Sequence, residues 1–430
     1  MGTVEKEVDQ DNREIAPLHG KETNPHLGGS APLYVHPATL YCALKGCQEV
    51  TVETTSKAAL KKAAAFSAPK GAKKRGFCNP NDASFGAAKA IGCVACAYKI
   101  LVPDVTYDRE FTKLVPNVRP ELCPRANPSS REATESRAYN VSALNVLVAS
   151  EEKGGAGCGS ILCVGDGDLS FGTCVKKLLE EKKVLLKEKQ EEEDIGERKS
   201  KKSKREKKLE EKINSADTGS VLSTSYETKE TLNEVYGEET IQKCLNVLGK
   251  DGIEFEVDCT KLEKGPIKDH SKFDSVVWNF PCTAEKNGMD GQNPQREANY
   301  ELLTKFFGNV ESVINPDATI VLTHKTKPPF NQWKIVTLVE GTAGGDKFEC
   351  KARVVFDRSN YIGYTNRKAL DKKSFPCHDS EQYIFGLKEK KEVSEEEEEA
   401  EEDIKEDWGE SRGLIRVTED LLNTVRSVFV

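Results

Sequence analysis

From Ser160 onward the chain alternates short apolar runs with longer amphipathic ones. Ile161–Val164 is a four-residue apolar run that stops at Gly165-Asp166-Gly167-Asp168, and Val175, Leu178 and Leu179 then fall on one face of a helix. Val221–Thr224 predicts a second strand and Gln242–Leu248 a helix. Ile253–Val257 alternates as a third strand, and Phe273–Trp278 predicts a fourth. Leu303, Phe306, Phe307, Val310 and Ile314 recur at the spacing of an amphipathic helix. Ala318–Thr323 is a fifth strand, and Lys347–Phe356 with Gln382–Phe385 predicts a closing antiparallel pair. Strands alternating with helices predict an α/β, Rossmann-like fold: a mainly parallel seven-stranded sheet with helices on both faces and ligands at the carboxyl ends of the strands.

The pattern weakens outside 158–388. Residues 1–30 are polar and predict a tail without fixed structure. Residues 31–125 form a cysteine-containing region, and 126–157 a linker ending in Gly154-Gly155-Ala156-Gly157. Within the α/β domain, 187–212 is a charged insertion of Lys, Glu and Arg. Residues 389–410 read as an acidic linker, and 411–430 as a last amphipathic helix carrying Leu414, Val417, Leu421, Val425 and Val428.

Composition changes this picture in three ways. The net charge of -8 sums a basic block, Lys199–Lys208, and an acidic one, Ser394–Glu402, so total charge does not select a partner. The basic block Lys201–Lys208 suits nuclear import or contact with RNA phosphates, and equally a solvated charge run. No run approaches membrane-spanning length and the first residues are polar, so neither a membrane partner nor a secretory signal is expected. The 14 cysteines then read as reduced thiols. Two close pairs among them, Cys42-x4-Cys47 and Cys93-x2-Cys96, can supply the four thiolates of a structural zinc site, with buried thiols as the plain alternative.

Polar residues close the successive predicted strands. Asp166 and Asp168 follow the first, Glu227 the second, Asp258 the third and Asn279 the fourth. A phosphate-binding loop would avoid the two aspartates, whereas a cationic ligand would be attracted to them. An acid after the second strand is placed to accept two ribose hydroxyls, and one after the third to meet an adenine amino group. S-adenosylmethionine, a nucleoside with a cationic tail, suits the series. Each acid alone is equally a turn or cap residue.

These residues also sit in a recognisable order. Val164-Gly165-Asp166-Gly167-Asp168-Leu169-Ser170-Phe171, Ser223-Thr224-Ser225-Tyr226-Glu227, Val257-Asp258-Cys259-Thr260-Lys261-Leu262 and Phe273-Asp274 followed by Asn279-Phe280-Pro281 come in turn. Leu302-Leu303 with Phe306-Phe307, then Pro329-Phe330 before Trp333, complete the order. Residues 158–388 thereby resemble the 25S rRNA (uridine-N3)-methyltransferase-like family of class I methyltransferases. The resemblance implies S-adenosylmethionine as cofactor, with its methionine end at Gly165, Asp166, Gly167, Asp168 and Ser170, its ribose at Glu227 and its adenine near Asp258. It implies a uridine of large-subunit rRNA, or of a pre-ribosome, facing Asn279, Phe280 and Pro281. It further implies the nucleus and nucleolus, with the cytoplasm as the alternative; a monomer without a DNA partner is expected.

Two residues depart from the family pattern. Cys282 stands where His usually follows Asn-Phe-Pro, and Thr323-His324-Lys325 ends the fifth strand where Leu-Lys is usual. His324 is then a candidate replacement base for the uridine proton. Pro281-Cys282 also resembles the Pro-Cys of cytosine-C5 RNA methyltransferases, in which the thiolate attacks the base. A third reading is a non-catalytic, RNA-binding ribosome assembly factor on a methyltransferase scaffold.

Overall fold

The computed structural model describes residues 31–45, 93–105, 143–148, 159–197, 219–283, 293–341, 347–388 and 407–428. In chain order these form β1 (Leu33–Val35), α1 (Pro37–Lys45), α2 (Val94–Val105), α3 (Leu144–Leu147), β2 (Ile161–Val164), α4 (Ser170–Glu197), β3 (Val221–Thr224), α5 (Lys229–Tyr236), α6 (Glu238–Leu248) and β4 (Ile253–Glu254). They continue with β5 (Phe273–Asn279), α7 (Asn293–Asn309), β6 (Ile314–Lys325), α8 (Ile335–Gly341), β7 (Phe348–Val355), β8 (Ser380–Leu387), β9 (Ile415–Arg416) and α9 (Glu419–Ser427).

One sheet runs β4-β3-β2-β5-β6-β8-β7-β1-β9. Strands β2 to β6 pair in parallel, and β8 inserts antiparallel between β6 and β7. The chain winds outward from β2 to β4, then returns to lay β5 on the other side of β2. That reversal opens a crevice at the strands' carboxyl ends. The α/β class is as expected.

Strand alternation divides the core into two layers. Val276 and Trp278 of β5 and Ile320 and Leu322 of β6 face α7 and α8. There Trp278 meets Phe306 edge-on at 4.8 Å and Phe307 meets Phe385 at 5.4 Å. Cys163, Val277, Val321 and Ile384 face the opposite layer, with Phe171, Val175, Leu178 and Leu179 of α4.

The sheet has two strands more than the seven expected. β1, from the cysteine-containing region, pairs in parallel with β7, and β9 pairs antiparallel with β1. Leu33, Val35, Leu40, Ala95 and Leu101 share one apolar cluster with Val417, Leu422 and Val425. A buried ion pair fixes this layer: Lys99 Nζ reaches Asp357 Oδ1 at 2.6 Å, and Thr39 Oγ1 donates to Asp357 Oδ2 at 2.7 Å. Short apolar strands such as Leu-Tyr-Val carry too little periodicity to announce themselves.

Three boundaries also differ. The third strand is cut to Ile253–Glu254, because Glu256 takes a left-handed φ of 58° and turns the chain. α4 continues to Glu197, into the charged stretch expected to start at 187. The C-terminal stretch is not one helix: Gly413 (φ 69°) closes a turn, Leu414 and Val417 flank β9, and Thr418 caps α9 by accepting from the Leu421 N–H. Among the described residues no helix is long and apolar enough to cross a membrane.

Candidate active site

The Gly165–Ser170 loop joins β2 to α4. Gly165 adopts φ +59°, and a Cβ there would lie 3.1 Å from the Trp278 indole nitrogen. Asp166 turns inward. Its carboxylate accepts from the Phe171 N–H (3.2 Å), the Gly172 N–H (2.7 Å) and the Ser223 hydroxyl (2.9 Å). It thereby ties the first turn of α4 to β3. The approach depends on Gly172, where a Cβ would fall 2.7 Å from Ser223. Burial, together with the nearby Asp168 charge, pushes the Asp166 carboxyl up to about 7 against the opposing pull of those three donors. Asp168 points the other way. Its Oδ1 accepts from the Ser170 N–H at 3.1 Å, and its Oδ2 accepts from Arg367 Nε at 2.5 Å.

A cleft of about 540 Å³ opens at the switch point, within the range of small-molecule and cofactor sites. Its lining brings together Gly165, Asp166, Gly167, Asp168, Glu227, Asp258, Asn279 and Phe280. Asp258 is already engaged: Oδ1 accepts from the Thr260 N–H (2.9 Å) and hydroxyl (2.6 Å), and Oδ2 pairs with Lys261 Nζ at 2.8 Å. Burial opposes ionisation of Asp258, but Lys261 and Thr260 outweigh it and hold the carboxyl below its ordinary value.

Three expected residues do not line the cleft. Ser170 exchanges hydrogen bonds with the Thr365 backbone, N–H to Oγ at 3.2 Å, and so pins the segment between β7 and β8. Pro281 is buried beside the cleft rather than on its wall. His324 faces the opposite layer of the sheet. Strand alternation gives Thr323 the face of Asn279 and turns the next residue to the α7 and α8 layer, where the His324 ring lies 4.5 Å from the Trp333 ring. Burial there lowers its pKa to about 4. A neutral, enclosed imidazole on the far face is not a base for the cleft.

At the β5 and β6 ends, Asn279 stands opposite Thr323 in register. The Thr323 hydroxyl donates to Asn279 Oδ1 at 2.5 Å. Asn279 Nδ2 is buried and has no hydrogen-bond partner among the described residues. A buried amide donor left open costs on the order of 1–3 kcal/mol. Phe280 holds a left-handed φ of 54°, and its ring packs edge-on against Phe356 (5.7 Å) and Phe375 (5.0 Å). It serves the core and the cleft wall together. Cys282 is exposed on the same wall.

Sequence reasoning missed several wall residues. Tyr226, 66% exposed, stands beside Glu227 and could have been found as an aromatic at a strand end. Tyr236, Tyr364, Arg367 and Leu370 also line the cleft. The last three come from the irregular 356–379 segment, where no period marks a site.

Of the four cysteines expected to bind metal, Cys42, Cys93 and Cys96 come together, their sulfurs all within 4.8 Å of one another. Cys47 lies outside the described residues.

Residues 162–368 match the family model described as rRNA (uridine-N3-)-methyltransferase BTM5-like. Heavy metal-associated isoprenylated plant protein 41 of Arabidopsis thaliana is 30% identical over 112 residues, 26% of this chain and 21% of that protein. An uncharacterized protein of the same plant is 28% identical over 172 residues, 38% of this chain and 79% of the relative. The chain thus spans about a fifth of the length of the first relative and about four fifths of the second. A TehB-like SAM-dependent methyltransferase from Corynebacterium glutamicum covers 61% of this chain and 94% of its own, at 11% identity and a TM-score of 0.27.

Proposed function

We propose that this chain, which belongs through residues 162–368 to the rRNA (uridine-N3-)-methyltransferase BTM5-like family, is an S-adenosylmethionine-dependent RNA methyltransferase acting on N3 of a uridine in large-subunit rRNA. The observation that carries the reading is the cleft itself. Carboxylates close the first three parallel strands, and an open amide donor, Asn279 Nδ2, closes the fourth.

The residues fit the cofactor. Asp168, buried and anionic beside the glycine turn, would hold the ammonium of its amino-acid end. Arg367, 2.5 Å from Asp168, would hold the carboxylate, so the pair matches a zwitterion charge for charge. Glu227 would accept the ribose hydroxyls, Asp258 would meet the adenine edge, and Tyr226 would offer a ring to the base. When bound, the cofactor supplies an electrophilic methyl group.

The chain's task is to position the acceptor in line with that methyl. N3 lies on the pairing edge of uracil, so the base must be unpaired or flipped out. Asn279 Nδ2 donates to a uracil carbonyl oxygen, where negative charge collects as N3 loses its proton. The Phe280 ring edges the same wall. With His324 on the other face of the sheet, the N3 proton leaves to water. Held by Asp168, Arg367 and Glu227, the cofactor would supply the methyl group that N3 accepts as the sulfur–methyl bond breaks. A large-subunit rRNA substrate places the reaction in the nucleolus, with the chain acting as a monomer.

Mass spectrometry of RNA nucleosides from cells with and without the protein tests the reading. Loss of 3-methyluridine is expected. Loss of 5-methylcytidine instead would favour the Cys282 route. Loss of neither, with no S-adenosylmethionine binding to the pure protein in calorimetry, would leave a non-catalytic RNA-binding factor.

A further inference from the structure

We propose that Cys42, Cys93 and Cys96 bind a structural zinc ion that locks the added end of the sheet. The three sulfurs lie within 4.8 Å of one another. On a tetrahedral zinc, with zinc–sulfur bonds of about 2.3 Å, thiolate sulfurs sit roughly 3.8 Å apart. Small side-chain rotations therefore bring the cluster onto an ion. The three residues supply three of its four ligands.

The backbone is arranged for this. Cys93 immediately precedes α2 and Cys96 is its third residue, so both thiols sit at the amino end of a twelve-residue helix. That placement lets both sulfurs face the same point from one turn of α2. Cys42 comes from α1, and its carbonyl accepts from the Cys93 N–H at 3.1 Å. That bond holds the two segments in register at the site. All three residues are buried. Leu40, Ala43 and Leu101 share the same apolar cluster, so an ion held there would be shielded from water. Soft thiolate donors in a closed, all-protein setting select zinc over hard cations such as magnesium or calcium.

The position defines the role. None of the three cysteines lines the cleft. They lie in the apolar cluster that joins α1 and α2 to β1 and α9. The ion would tie Cys42 to Cys93 across the intervening 47 residues, 46–92, that lie outside the described ones. It acts on the layer carrying β1, not on the chemistry.

The test uses the full chain, purified in reducing buffer without chelator. Elemental mass spectrometry should find one zinc per chain, and the double variant Cys93→Ser/Cys96→Ser less than a tenth of that. The variant should keep its affinity for S-adenosylmethionine while its N-terminal segment becomes readily cleaved by protease. Should the variant not fold, chelated wild-type protein refilled with cobalt(II) gives the answer. Thiolate-to-cobalt charge-transfer bands and tetrahedral d–d bands support the site. Three overturning results are metal-free wild-type protein in which all 14 thiols titrate, a mass two hydrogens lower that reports a disulfide, and iron or copper in place of zinc. Full zinc occupancy in the double variant would also overturn it.

Discussion

The two halves of the cleft differ in how their polar atoms are committed. At the β2 and β4 ends the carboxylates are already held: Asp166 accepts three hydrogen bonds, and Asp258 accepts two while pairing with Lys261. At the β5 and β6 ends, Asn279 is fixed through its oxygen by Thr323 while its Nδ2 stays open. The first half is a rigid negative cradle built into the fold. The second keeps a donor for something that arrives. Damage to the first should therefore show in stability and cofactor affinity, and damage to the second in turnover.

The largest effect should come from Gly172→Ala. Its Cβ would press 2.7 Å from Ser223 and 3.1 Å from Asp166 Oδ2, so α4 must move away from β3. Overpacking together with the disturbed Asp166 bonds should cost about 3 kcal/mol of unfolding free energy. Denaturant melts measure it; an unchanged midpoint would show that the cradle is not rigid. Asn279→Ala should do the reverse. Turnover should fall roughly 100-fold, as when a donor to a developing oxyanion is removed, with cofactor affinity within about twofold of wild type. A variant that loses cofactor affinity instead would place Asn279 in the wrong half.

Arg367→Ala sharpens the cradle's description. It should weaken S-adenosylmethionine roughly 20-fold, the scale of a charge-assisted bond. More tellingly, wild-type protein should prefer S-adenosylmethionine to its decarboxylated analogue, and the variant should bind the two alike. If wild type shows no preference, Arg367 only latches the 356–379 segment over the loop. A smaller effect follows from Asp166. Its carboxyl is raised to about 7 by burial, so it is largely protonated at pH 6 and ionised at pH 8. A cationic ligand favours the ionised form. Affinity should thus rise with pH through 7, approaching tenfold between pH 6 and 8, with a proton released on binding. In the ligand-free protein the sign is opposite: stability from this group is full below its unfolded pKa and is lost as pH rises through about 7. Calorimetry in two buffers of different ionisation heat reads the proton directly.

How much of this was legible in the sequence depended on distance along the chain. Strands β2, β3, β5 and β6 announce themselves by apolar runs, and the acids at their ends follow from the fold's topology. Asp166 follows from the loop, but its bonds to the first turn of α4 and to Ser223 do not. Nothing local distinguishes a carboxylate that caps its own helix from one that faces a ligand. His324 failed for a simpler reason: a one-residue step on a strand reverses the face, and the register with Asn279 belongs to Thr323. Arg367 was invisible because it reaches Asp168 from 199 residues away through an aperiodic segment. The cysteines show the same limit in reverse, since three thiols separated by up to 54 positions converge only once α1 and α2 pack.

Cys282→Ala should have the smallest effect. Cys282 is exposed on the wall beside Asn279, so a nucleophilic role is open to it on position alone. The uridine-N3 reaction gives it none: N3 is itself the nucleophile, and no covalent bond to C6 is needed. Removing an exposed thiol also disturbs little packing. Turnover and stability should stay within about twofold and 0.5 kcal/mol of wild type. A loss of turnover beyond a hundredfold, with the cofactor still bound, would mean that the second half of the cleft supplies an attacking sulfur rather than a donor, and that the base it receives is cytosine.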